Sequence, residues 1–157
     1  MKGEDKVSVR VVAHLRNHKL IKGYTDTLVV PELEAWLKQE SVTVPPKISM
    51  RLAESPETVS VPLKSLKALF FVKSFEGSKE YEEIKFFAPN SPIAGLWAWL
   101  KFFDNERIEG VVRNSLQYLI DPGFFLKPPD PESNNQLIYV VKASLIEFRV
   151  QGVSATY

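Results

Sequence analysis

A chain of 157 residues with 45% hydrophobic and 25% charged side chains has the make-up of a packed globular protein, and its length holds one ordinary domain or two small ones sharing a core. It has no cysteine, which excludes disulfides, thiolate metal sites and cysteine nucleophiles, and its formal net charge of +1 lacks the basic excess of a dedicated nucleic-acid binder. The charge is uneven, with 12 Lys/Arg against 8 Asp/Glu in residues 1–75 and 6 against 7 in residues 93–157.

The start, MKGEDKVSV, is charged and passes directly into strand-like sequence without the apolar region of a signal peptide. No apolar run reaches the roughly 18 residues of a membrane span, so a cytoplasmic protein that avoids the membrane is expected. From Val7, the residues Val7, Val9, Val11, Ala13 and Leu15 alternate with Ser8, Arg10, Val12, His14 and Arg16. This period of two predicts a half-buried strand with a basic outer row. Asn17-His18 predicts a tight turn, with Asn as the residue tolerant of positive φ, and Lys19 to Thr27 predicts a returning strand that Gly23 bends.

The segment PELEAWLKQ, residues 31–39, changes period. Leu33, Trp36 and Leu37 fall on one helical face behind Pro31, which predicts a short inserted α-helix. ISMRL, TVSVPL and LKALFFV then predict three more strands, and Pro62 argues that the second of them lies at a sheet edge. Residues 76–92 read as a connector carrying the acidic cluster Glu80, Glu82 and Glu83. From Gly95 the order starts again: strand, Asp104-Asn105 turn, a strand containing Gly110, a DPG break, a short strand, a proline-rich loop and two closing strands.

Setting Gly23 on Gly110 also sets Ile21 on Ile108, Leu15 on Phe102 and Asn17 on Asp104. At the ends of the halves, Ala68, Phe70 and Val72 meet Ile146, Phe148 and Val150. The expected architecture is therefore all-β: two pseudo-repeated small five-stranded barrels, residues 1–75 and 93–157, packed through an apolar face, with the α-helix near 31–39 inserted in the first.

The pattern VRVVAHLRNHKLIKGYTDT, an alternating strand, an Asx turn, and an apolar residue two before a glycine, resembles the first motif of Sm-like and other SH3-like small β-barrels. The helix departs from that family, which places one before the first strand. FVKSFEGSKEY (residues 71–81) and GFFLKPPDPESNN (residues 123–135) resemble an uncharacterised bacterial domain family of acidobacterial type. That resemblance implies paired barrels and carries no established activity.

For chemistry the chain offers little. His14 and His18 are its two histidines, both read as surface residues, and neither a hydrolytic triad nor a three-ligand metal site can be assembled around them. No GxxxxGK[ST] or GxGxxG stretch occurs. The chain is expected to be no enzyme and to need no cofactor or metal. A protein partner is expected, with Trp36, Phe86 and Phe87 as contact candidates. RNA is the alternative partner, held by Arg10, His14, Arg16 and Lys19 along the phosphates with Tyr24 stacking a base.

Overall fold

The computed structural model describes residues 9–26, 44–75, 95–113, 120–129 and 133–154. The predicted strands form within it. They are β1 (Val9–Leu15), β2 (Leu20–Thr25), β3 (Lys47–Leu52), β4 (Thr58–Pro62), β5 (Leu66–Val72), β6 (Gly95–Phe102), β7 (Arg107–Val112), β8 (Gly123–Leu126), β9 (Asn135–Val141) and β10 (Leu145–Ser154). The helical turns among the described residues are two short 3-10 turns, Leu63–Ser65 before β5 and Lys142–Ser144 before β10. The predicted α-helix near 31–39 and the connector at 76–92 lie outside the described residues. No helix among the described residues is long and apolar enough to cross a membrane.

The two hairpin turns work alike, though not with the residue the sequence suggested. The left-handed position is His18 in the first turn and Asn105 in the second, each at φ 72°. The preceding Asx side chain braces the turn instead: Lys19 N–H donates to Asn17 Oδ1 at 3.0 Å, and Glu106 N–H donates to Asp104 Oδ1 at 3.1 Å. Gly23 and Gly110 answer to close approach rather than to a bend. A Cβ at Gly23 would stand 2.4 Å from the Arg51 carbonyl oxygen, and one at Gly110 would stand 2.6 Å from that of Lys127.

Two barrels do not form. The strands join into a seven-stranded sheet of order β4-β3-β2-β1-β5-β9-β8 and a three-stranded sheet of order β10-β6-β7. The physical reason is the antiparallel pairing of β5 with β9, in which Leu69 faces Tyr139 and Phe70 faces Ile138. Backbone hydrogen bonds therefore run from the first half of the chain into the second, and the halves meet edge to edge instead of packing as closed units. Pro62 does sit on an edge, since β4 ends the larger sheet.

The pairing has a second consequence, which is that β5 has no solvent face. Leu66, Leu69 and Phe71 enter one apolar cluster with Val11, Ala13, Ile48 and Met50. Ala68, Phe70 and Val72 enter another with Ala98, Leu100, Phe102 and Leu126. β9 divides in the same way, Leu137, Tyr139 and Val141 going to the first cluster and Ile138 and Val140 to the second. Each cluster thus takes side chains from both halves.

Truncation on either face of β5 should therefore be costly. Leu69→Ala is expected to destabilise by about 2–5 kcal/mol and Phe70→Ala by about 3–5 kcal/mol in urea unfolding. A near-neutral value for either would mean that one face of β5 is open to water.

Candidate interaction surface

Of the residues proposed for RNA contact, Arg10, Arg16 and Lys19 are exposed and His14 and Tyr24 are half-buried. Arg10, Val12 and His14 share a strand face, and Val12 belongs to the second apolar cluster. Arg10 Nη1 donates to the Lys73 carbonyl oxygen. Arg16 Nη1 donates to the Ala143 carbonyl oxygen at 3.3 Å, and its guanidinium stands 5.2 Å from the Phe103 ring centroid. The His14 ring centre is 4.2 Å from that of Phe70, and burial pulls its pKa below the ordinary value of 6.5, so His14 is no open surface histidine. Tyr24 is flanked by Arg51, at 4.6 Å, and Phe75, at 5.4 Å. Lys19 is exposed in the first turn. The structure gathers these side chains against their own chain and does not array them along one open strip. Trp36, Phe86 and Phe87 lie outside the described residues.

Sequence reasoning missed the polar clasps at the two ends of the β5–β9 seam. Lys67 sits within the apolar run of β5 and is 5% exposed. Its Nζ donates to Asp104 Oδ2 at 2.8 Å and to Glu106 Oε1, both on the β6–β7 turn. Burial pulls the Lys67 pKa down, but the hydrogen bonds to the two carboxylates outweigh it and leave the pKa above its ordinary 10.5. For Asp104, burial is the largest influence and pushes upward, but the bond and charge of Lys67 together with the backbone N–H of Glu106 outweigh it, so its carboxyl lies below 3.8. Nearby, Ser144 Oγ–H bridges to the Lys67 carbonyl oxygen at 2.9 Å. At the other end, Asn134 accepts from Ser74 N–H and donates to the Ser74 carbonyl, each at 3.0 Å. A lysine inside an otherwise apolar strand was the available signal, because a buried ammonium requires an acidic partner.

The seam shows what an occupied edge looks like in this molecule, and two edges lack such cover among the described residues. β4 ends the seven-stranded sheet and β10 ends the three-stranded one. The remaining edges, β7 and β8, are tied by paired hydrogen bonds of 2.8 Å between Val111 and Lys127. On β10, Ile146 is 59% exposed and Val150 is 50% exposed. Beside β4, a groove under the β1–β2 turn is lined in part by Leu15, Ile21, Val61 and Pro62, with Arg16 and Lys64 also contributing. Trp97 and Trp99 share a face of β6 and are half-buried. Trp99 lies between the guanidinium groups of Arg107, at 5.6 Å, and Arg149, at 5.2 Å. Among the described residues no group of three or more His, Asp or Glu could hold a metal ion.

Because Asp104 has a lowered pKa in the folded chain, its contribution is present above 3.8 and is lost as pH falls through the folded value. Lys67 has a raised pKa, so its contribution is present below 10.5 and is lost as pH rises through the folded value. Lys67→Met should destabilise by more than the about 1 kcal/mol of an exposed pair and up to the about 3–5 kcal/mol of a broken buried one. It should also flatten the stability profile at both limits, as read from urea midpoints across pH. Profiles that superpose would assign no stability to this clasp.

No curated protein and no solved structure matches the chain. A family model does match it, over residues 7–152, and spans every strand that the seam joins. The chain belongs to the family of unknown function DUF6982.

Proposed function

We propose that this chain is a non-enzymatic protein-interaction module built from one strand pattern used twice, with the outer edge of β10 as its docking surface. The observation that carries the reading is the exposure of Ile146 and Val150, at 59% and 50%, on a strand edge without a partner among the described residues. An apolar strand edge offers backbone donors and acceptors together with side-chain contact, which is what recognition by strand addition requires.

Support for the twofold use of the pattern comes from the registers. β1 is flanked by β2 and β5, and β6 is flanked by β7 and β10. Tyr24 pairs with Arg51 between β2 and β3, and Val111 bridges Lys127 just past β8. In both halves a 3-10 turn feeds the closing strand. The sequence alignment of those closing strands is off by one residue. Leu69 faces Ala13 and Phe148 faces Leu100, so the counterpart of Phe148 is Leu69 and not Phe70. A protein partner is preferred to RNA because Arg10 and Arg16 already donate to carbonyl oxygens of their own chain.

The test is capture from cell extract by the tagged full-length chain, with and without nuclease, beside the Ile146→Lys/Val150→Lys variant. Nuclease-resistant capture that the variant loses is the expected result. Capture that nuclease removes, or that the variant retains in full, would count against the β10 edge.

A further inference from the structure

We infer that the β10 edge takes the β4 edge of a second copy of this chain, in the register that β5 and β9 already use within one copy. This deepens the interaction reading above and rests on it. The seam is a contact between the closing strand of one half and the fourth strand of the other. Both strands have counterparts that lie open: β10 corresponds to β5, and β4 corresponds to β9. A second copy is the occupant for which the molecule itself carries the template.

The registers make the pairing specific. Ser65 and Ser144 accept equivalent hydrogen bonds, from Arg16 N–H and Phe103 N–H, each at 2.9 Å, and so anchor the numbering of the two halves on each other. From that anchor, Ala68, Leu69, Phe70 and Phe71 correspond to Glu147, Phe148, Arg149 and Val150. On the acceptor side, Val140, Tyr139, Ile138 and Leu137 correspond to Val61, Ser60, Val59 and Thr58. Within the chain, Ala68 faces Val140 and Phe71 faces Leu137. Between copies, Glu147 therefore faces Val61 and Val150 faces Thr58.

Two details fit this occupant. Pro62 corresponds to Val141, which makes no pair with β5, so its missing N–H falls outside the ladder. Ile146 corresponds to Lys67. Inside the chain that position reaches Asp104 and Glu106, whereas at the β4 end the matching turn residues are Asn17 and Lys19, beside the groove lined by Leu15, Ile21, Val61 and Pro62. The charged side chain stands where the turn is acidic, and the apolar one stands where the turn carries no carboxylate and the groove beside it has Leu15, Ile21, Val61 and Pro62 among its walls, with Arg16 and Lys64 also there. The halves also differ in charge in the helpful sense, with 12 Lys/Arg to 8 Asp/Glu in residues 1–75 and 6 to 7 in residues 93–157. Such a contact is heterologous, so its repetition gives a closed ring or an open row of copies.

The test uses the full-length chain in native mass spectrometry and analytical ultracentrifugation, with cysteines introduced into a sequence that has none. Wild type is expected to form oligomers, and Ile146→Lys is expected to be monomeric with an unchanged far-UV spectrum. Mixing Thr58→Cys with Val150→Cys under mild oxidation is expected to give a disulfide-linked dimer, because directly opposed strand residues meet the geometry of that bond. A wild-type chain that stays monomeric at all concentrations, or oligomers in which this pair does not cross-link, would overturn self-pairing. If wild type is monomeric but Ile146→Lys still abolishes nuclease-resistant capture, the second copy is ruled out while the interaction reading stands.

Discussion

Most of this molecule depends on one backbone pairing, that of β5 with β9. Without it the first half would be a sheet with an apolar strand left at its edge, and the second half would lack cover for Leu137, Tyr139 and Val141. With it, β5 becomes a central strand whose alternate residues enter different apolar clusters. Every position from Leu66 to Val72 is buried as a result. A substitution there must satisfy two sets of neighbours, so volume changes that one cluster could absorb are still felt by the other.

The clasps at the ends of the pairing add direction to what is otherwise a greasy contact. Hydrophobic burial is nearly indifferent to a slide of two residues along a strand, since the same face remains covered. The bonds from Ser144 to the Lys67 carbonyl and from Asn134 to Ser74 are not indifferent, because each needs a single register. Their worth lies in choosing the alignment as much as in adding to stability.

The strands and turns were legible in the sequence because they follow from local chemistry. Alternation in Val9, Val11 and Ala13 marked β1, and the Asx residues Asn17 and Asp104 marked the turns. What covers a strand's second face is not local, and there the reading failed. The row Arg10, Val12, His14 looked like an outer face since its polar members outnumber Val12, yet Val12 is buried in the cluster shared with the second half and His14 is half-buried beside Phe70, while Arg10 stays exposed. The run LKALFFV, apolar but for Lys67, carried the missing information, as a strand with no polar alternation has no solvent side. The closing strands were misaligned by one residue because matching residue types set Phe70 on Phe148, whereas the backbone registers, with equivalent bulges at Lys67 and Ile146, set Leu69 there. Of the proposed docking edge, Ile146 and Val150 were visible only as members of a strand, since exposure depends on what fails to pair with them.

The acid pair that receives Lys67 has a further consequence for the order of events during synthesis. β5 leaves the ribosome well before β9 exists, and domains begin to form N-terminal first. For that interval the available partners for a bare β5 include the β4 edges of other unfinished chains. There its lysine would meet Arg16 and Lys19, with no carboxylate in place of Asp104 or Glu106. Like charge at the first turn and opposite charge at the second thus suit Lys67 to the β9 pairing within its own chain and not to a β4 edge.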